Sequence, residues 1–340
     1  MKGIGIMSKY CVISDLHLGA HCDSEDWHKI TLDWGKWLTE ELKSANVHDI
    51  ILCGDFFDNR NEIGVKTISV AGQLMDLWED FDIKMITGNH DLFYKTRTDV
   101  NSVSIFDGRS NIEVISEMKT VKMNGKSVTF IPWGQDISKC PQTDIVFGHL
   151  EINGFKMMPG MIAEGKIAPV SLTSKSKLTF TGHFHLRDER KYKDSEIIYV
   201  GSPYQLNWGE SSNIPGYYLV DIGNMSYEFH ENLESPVHIK MDVDDIKEKF
   251  INGNIISLDI DPTLDDIEID KLMSRVYKNT PLEVKFNIMR NTHESVSEVE
   301  YSGSIDIGNV MCEFVDTLEL DAFNNEVKDK LKELYGKYSK

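Results

Sequence analysis

The stretch Asp49-Ile50-Ile51-Leu52-Cys53-Gly54-Asp55-Phe56-Phe57-Asp58 is a short apolar run that stops at a glycine and an acid. An uninterrupted apolar run of this length, bounded by a turn signal, reads as a buried strand with a polar cluster at its C-terminal end. The same arrangement recurs along the chain. Residues 10–14 run into Asp15-Leu16-His17, and residues 84–87 into Gly88-Asn89-His90-Asp91. Residues 144–147 run into Gly148-His149, and residues 178–181 into Gly182-His183-Phe184-His185. Between the first three strands lie two helical patterns. One carries Trp27, Ile30, Trp34, Leu38 and Leu42, and the other spans residues 68–78. This alternation predicts an α/β fold whose polar clusters meet in one crevice at the C-terminal edge of a sheet.

Further strands follow. Residues 120–123 and 127–131 flank Asn124-Gly125, a hairpin signal, and residues 197–200, 217–221 and 226–230 complete this region, taken as residues 1–233. The texture then changes. Residues 237–243, 255–260 and 282–288 read as strands, with helices near 244–250 and 267–277, and none of the cluster residue types recurs in a pattern. This predicts a small α+β domain over 234–291 that shapes access rather than performing chemistry. A polar Ser/Glu-rich linker is expected over 292–305. Over 306–340 the chain reads as amphipathic helix, with a stripe of Phe323, Val327, Leu331, Leu334, Tyr335 and Tyr338 preceded by a shorter one through Val310, Phe314 and Leu318. Such a stripe suits docking on a partner helix.

A chain of 340 residues with 41% hydrophobic content can bury more than one core. Its five cysteines contain no CxxC pair, which favours reduced thiols over a disulfide framework. The first residues lack the apolar length of a signal peptide and no stretch has that of a membrane span, so a cytoplasmic location is expected. A net charge of −19 argues against broad electrostatic grip on nucleic acid. It does not exclude reaching phosphate through bound cations, since two divalent ions would reverse the local field.

Together the clusters supply Asp15, His17, Asp55, Asn89, His149, His183 and His185, the mixed carboxylate, amide and imidazole set that suits a pair of divalent metals. Two metals about 3.5–4 Å apart are suited to phosphate-ester hydrolysis. Asp55, alone at its strand end, is the natural bridge. Asp15, His17 and one histidine of the late pair would complete one metal; Asn89, His149 and the other histidine the second. His90 is left over as the candidate catalytic acid, with Asp91 placed to orient it. His21, His28, His48, His230, His238 and His293 read as ordinary surface or packing residues.

The order D-x-H, GD-x-x-D, GNHD, GH, GHFH resembles the calcineurin-like metallophosphoesterase superfamily. Within it, the chain resembles the SbcD family of double-strand-break repair nucleases, and its phage recombination members most. The residues that carry this are Gly201-Ser202-Pro203-Tyr204-Gln205-Leu206-Asn207-Trp208-Gly209-Glu210, Gly148-His149-x-Glu151-x-Asn153-Gly154-Phe155, and Ile131-Pro132-Trp133. The resemblance implies a layered β-sandwich flanked by helices and two metals, most often manganese, with magnesium also compatible. It implies Asp15, His17, Asp55 and His185 on one metal, Asp55, Asn89, His149 and His183 on the other, and His90 as acid. It also implies that residues 234–291 form a capping domain and that the terminal helices dock on an SbcC-type coiled-coil ATPase, in a complex containing a homodimer of this subunit. Some family members carry a histidine where this chain has Asp58. Expected, then, is a DNA exonuclease and single-strand endonuclease. A protein phosphatase or small-molecule phosphodiesterase is the alternative, and a non-catalytic binding module a weaker one.

Overall fold

The computed structural model describes residues 9–94, 97–243, 246–261 and 263–288. The linker and terminal helices expected over 292–340 lie outside these. Strands β1 (Lys9–Ile13), β2 (Asp49–Leu52), β3 (Asp82–Ile86) and β4 (Ile112–Ile115) are parallel neighbours. The hairpin β5 (Lys119–Met123) and β6 (Lys126–Ile131) follows, then β7 (Ile145–His149) and a small hairpin, β8 (Lys156–Met158) with β9 (Met161–Ile162). Next come β10 (Leu178–Gly182), β11 (Asp188–Tyr192), β12 (Ser195–Tyr199), β13 (Gly216–Asp221) and β14 (Ser226–Glu231). One six-stranded sheet has the order β14-β13-β1-β2-β3-β4 and the other β11-β12-β10-β7-β6-β5.

Strand alternation decides how these sheets stack. Because successive side chains point to opposite faces, Tyr10, Val12, Ile51 and Ile86 face the second sheet, where Val128, Phe130, Phe147, Phe180 and Ile198 meet them. Their sequence neighbours Cys11, Ile13, Ile50 and Leu52 face outward. Helices Glu25–Ser44 and Val65–Leu77 cover that outer face with Trp34, Leu38, Leu42, Leu74 and Met75. On the far side, Val146, Ile197 and Tyr199 pack against Leu150, Ile152, Phe155 and Leu172. Both sheets are therefore buried on two faces, which is why their central strands read as unbroken apolar runs. The result is the layered sandwich with flanking helices that was expected.

The Asn124-Gly125 turn takes positive φ at both residues, 47° and 81°, as a two-residue hairpin requires. Four strands were not expected, β8 and β9, of three and two exposed residues, among them. Asp188–Tyr192 is Asp-Glu-Arg-Lys-Tyr, a charged edge strand with no apolar alternation. Ile112–Ile115 is only four residues long. Strands β15 (His238–Asp242), β16 (Ile255–Ile260) and β17 (Glu283–Ile288) form a parallel sheet covered by the helix Asp266–Tyr277, with a core of Ile256, Leu258, Ile269, Leu272 and Val276. Among the described residues this sheet groups with the sandwich in one compact unit. Of the helix expected over 244–250, residues 244 and 245 lie outside the described residues, and residues 246–250 form only a 3-10 turn at Glu248–Phe250. So short a segment lacks the hydrogen bonds to offset helix nucleation, and here Phe250 stays exposed.

Candidate metal centre

Every cluster expected at a strand end sits at one. Asp15 and His17 follow β1, Asp55 follows β2, Asn89 and His90 follow β3, His149 ends β7, and His183 and His185 follow β10. The parallel register of β1, β2 and β3, and of β7 and β10, brings these ends to one edge. Getting the side chains inward costs backbone strain. Asp15, His17, Asp55 and His183 all adopt positive φ (55°, 48°, 52° and 98°). Each such non-glycine residue costs on the order of 1–3 kcal/mol, a cost typically found where a site needs it. Glycines make the close approach possible. A methyl at Gly88 would collide with the Asp55 carboxylate, and one at Gly54 (φ 93°) with the His149 ring.

Three groups of donor atoms converge among the described residues. Asp15, His17 and His185 form one, Asp55, His149 and His183 the second, and His17, Asp58 and His90 a third that shares His17 with the first. Asp55 Oδ2 lies 3.2 Å from His149 Nε2 and 3.7 Å from His17 Nε2, so one carboxylate oxygen faces the first two groups. Asn89 Oδ1 joins the second group, 2.9 Å from His149 Nε2 and 2.8 Å from His183 Nδ1. Donors bound to one ion at about 2.1 Å stand about 3 Å apart when at right angles, so these spacings fit a shared cation. His17 Nε2 is buried and has no hydrogen-bond partner, a vacancy that an ion would satisfy.

The opposite ring nitrogens support the same reading. His149 Nδ1 donates to the Cys53 carbonyl (2.7 Å), His17 Nδ1 to Asp58 Oδ1 (3.1 Å) and His185 Nδ1 to Glu210 Oε1 (2.8 Å). A proton held at Nδ1 leaves the Nε2 lone pair for a metal. Electrostatics points the same way. Burial disfavours the His149 imidazolium, but the charge and hydrogen bond of Asp55 outweigh it and raise the group to about 9. Burial likewise opposes charge on His185, yet Glu210 and Asp15 raise it to about 9. His183 is lowered to about 3, by burial first and then by the charge of His149. Burial would raise Asp55, but His149 and His17 hold it well below the ordinary carboxylate range. Carboxylates that draw protons onto their neighbouring imidazoles are short of cations, and metal ions would displace those protons. The residues fit a pair of divalent metals.

Glu210 had no role in the sequence reading, although it ends the quoted Gly201–Glu210 stretch. It is 3% exposed, and its second oxygen accepts from Ser202 Oγ (2.7 Å) and the Leu206 amide (2.9 Å). The carboxylate is thus fixed before it meets His185. Glu210→Gln is expected to weaken binding of a divalent ion by about 10- to 100-fold, the usual cost of losing a partner that orients a ligand. Calorimetric titration with manganese checks this, and an unchanged affinity would remove Glu210 from the centre.

Asp91 requires a correction. It was expected to orient His90, but its oxygens accept from the amides of Phe56 (3.1 Å), Phe57 (3.2 Å) and Gly88 (2.8 Å). It clamps the loop after β2 to the loop after β3. Burial and the Asp55 charge raise its carboxyl to about 6. His90 is oriented instead by Asp58, whose backbone carbonyl accepts from Nδ1 at 2.5 Å. The His90 amide donates to Asp55 Oδ1 (2.8 Å), which sets the half-buried ring beside the cluster, 4.7 Å from the His17 ring. Asp58 therefore positions both His17 and His90. Among the histidines set aside, His21 stacks on Trp27 (4.0 Å between ring centroids) and His238 packs edge-on against Trp208.

Comparison with known proteins gives the family. The family model described as calcineurin-like phosphoesterase superfamily domain matches residues 9–225. A curated relative named exonuclease subunit 1, from Enterobacteria phage T4, is 28% identical over 279 residues, covering 77% of this chain and 80% of its own. An archaeal phosphodiesterase structure aligns over 66% of this chain and 99% of its own, at 16% identity and a TM-score of 0.38. A dimetal phosphatase from Danio rerio aligns over 66% of this chain and 96% of its own, at 10% identity and a TM-score of 0.44. Among the described residues no helix is long and apolar enough to cross a membrane. With its family model spanning every strand-end cluster and every strand of the two sheets but β14, the chain belongs to the calcineurin-like phosphoesterase superfamily and is a phosphoester hydrolase.

Proposed function

We propose that the chain is the nuclease subunit of an SbcCD-like recombination and repair complex, cleaving DNA phosphodiesters as a double-strand exonuclease and single-strand endonuclease. The observation that carries the chemistry is Asp55 Oδ2 standing between His17 and His149. What supports DNA as substrate is the likeness to the phage exonuclease subunit.

Asp15, His17, Asp55 and His185 would hold one divalent ion, and Asp55, Asn89, His149 and His183 the other, with Mn²⁺ the expected metal. Such a pair supplies positive charge at the phosphoryl oxygens and makes a water nucleophilic near neutral pH. The chain's own residues do the rest. Asp58 holds Nδ1 of His90, so Nε2 is the nitrogen free to protonate the departing oxygen. Asp91 and the glycines keep the loops after β2 and β3 in register, and Glu210 holds His185. The sheet over 234–291 is read as the capping domain that selects DNA ends. The segment 306–340 is read as the dock for an SbcC-type ATPase, in a cytoplasmic complex containing a homodimer of this subunit.

A manganese-dependent assay comparing duplex DNA, single-stranded DNA and a phosphoprotein tests the reading. Both DNAs are expected to be cut and the phosphoprotein left intact; dephosphorylation without DNA cleavage would overturn it. Deleting residues 308–340 is expected to abolish capture of the ATPase while sparing hydrolysis of a simple phosphodiester. Retained capture in a pull-down would refute the docking assignment. With a net charge of −19, the subunit alone is expected to hold DNA weakly at physiological salt.

A further inference from the structure

A cavity of about 600 Å³ opens directly beside the second group of donors and shares Asn89 and His149 with it. Its volume lies in the range of about 300–1,000 Å³ typical of small-ligand sites. The remaining walls are unlike the donor cluster. Trp133 is half-buried, with its ring 4.7 Å from that of His183, so an aromatic wall continues outward from the donors. Tyr94 is 41% exposed, with the guanidinium of Arg97 over its ring at 4.7 Å. Two cations complete the lining, Arg60 and Lys166. Among the described residues neither has an acidic partner or a side-chain hydrogen bond, although the chain carries 55 acidic residues against 36 basic ones. An arginine that is half-buried and unpaired in so acidic a protein is held ready for an external anion.

Flat aromatic faces and unpaired cations, set beside a phosphate-ester centre, match the parts of a nucleotide. Bases stack on aromatic side chains whatever their sequence, and Arg and Lys track the backbone phosphates. Glu151 lines the same cavity and is an acceptor only, so it suits a base edge carrying an exocyclic amino group better than a second phosphate. We propose that this cavity is a nucleotide subsite. Trp133 and Tyr94 receive the base next to the cleaved phosphate, and Arg60, with Lys166, receives the phosphate that flanks it. The inference rests on the nuclease reading and deepens it. It makes the enzyme hold an unpaired nucleotide, so the terminal base of a duplex leaves its stack before cleavage.

Direct binding tests this without relying on turnover. The metal-loaded full chain is titrated calorimetrically with deoxyadenosine 5′-monophosphate, 2-deoxyribose 5-phosphate and inorganic phosphate. The nucleotide is expected to bind about tenfold tighter than the sugar phosphate, the scale of one base–aromatic stack. Tyr94→Ala should erase that difference and Tyr94→Phe restore it, whereas Arg60→Gln should weaken nucleotide and sugar phosphate together. Equal binding of nucleotide and sugar phosphate to the unaltered protein would overturn the subsite, as would a Tyr94→Ala variant that keeps the preference. The two readings separate in one further assay. Equal cleavage of oligonucleotides with and without a base on the residue beside the scissile phosphate sinks the subsite alone, while tighter binding of nucleotide than of sugar phosphate without cleavage of DNA sinks the nuclease reading and leaves a nucleotide site.

Discussion

Asp55→Asn is expected to abolish phosphodiester hydrolysis and to lower the bound metal from two ions per chain to one or none. The substitution is nearly isosteric, and the amide oxygen can still accept from the His90 amide as Asp55 Oδ1 does. What it removes is the negative charge that faces both His17 and His149 from a side chain only 2% exposed. In so dry a setting that charge is the main attraction for cations shared between the two groups of donors. Losing metal stabilisation of the developing phosphoryl charge costs several kcal/mol; about 4 kcal/mol corresponds to about a thousandfold in rate. Metal content by mass spectrometry and hydrolysis of bis(p-nitrophenyl) phosphate check both halves. A variant that keeps two ions and the original rate would remove Asp55 from the bridge.

The second large effect belongs to His90. His90→Ala is expected to lower kcat on DNA by about 10²- to 10⁴-fold, the usual contribution of a positioned general acid. Metal content should stay near two ions per chain, because His90 meets the cluster through its backbone amide and its ring is tied to the Asp58 carbonyl. Leaving-group dependence gives the sharper test. A p-nitrophenolate leaves without a proton, so the same variant should lose far less on a p-nitrophenyl ester than on DNA. Equal losses on the two substrates would argue against an acid, and loss of metal would move His90 into the ligand set.

The two variants also differ in how far their residues could be read from the chain. Asp55 and His90 each follow a glycine or a ligand at the end of an apolar run, and strand-end placement is a local property. Residues in strands buried on both faces must be apolar, and a polar residue can follow only where the strand leaves the sheet. Hence the strand-end positions of the seven candidate ligands were legible, whereas the layered architecture was implied by the resemblance that the clusters carry. The charged strand Asp188–Tyr192 was not, because an edge strand takes its order from backbone pairing with Ser195–Tyr199 rather than from burial. The helix expected over 244–250 misled for a related reason, since helical spacing over seven residues is not enough to hold a helix.

Partnerships across long sequence separations were a different matter. Asp91 is two residues from Asn89, yet two of its three amide partners are 34 and 35 residues away. Glu210 reaches His185 from 25 residues away, and Asp58 binds His90 through a carbonyl that no side-chain pattern marks. Arg60, Tyr94, Trp133 and Lys166 come from four separate loops to wall one cavity. By itself, the sequence determined which segments become buried strands and which residue types stand at their ends, because periodicity and burial act over a few neighbouring residues. Only the tertiary structure decided which of those residues meet, how near one carboxylate oxygen stands to both groups of imidazoles, which carboxylate clamps the loops, and what surrounds them. Those outcomes depend on sheet order and strand register, which bring together groups that the chain itself keeps far apart.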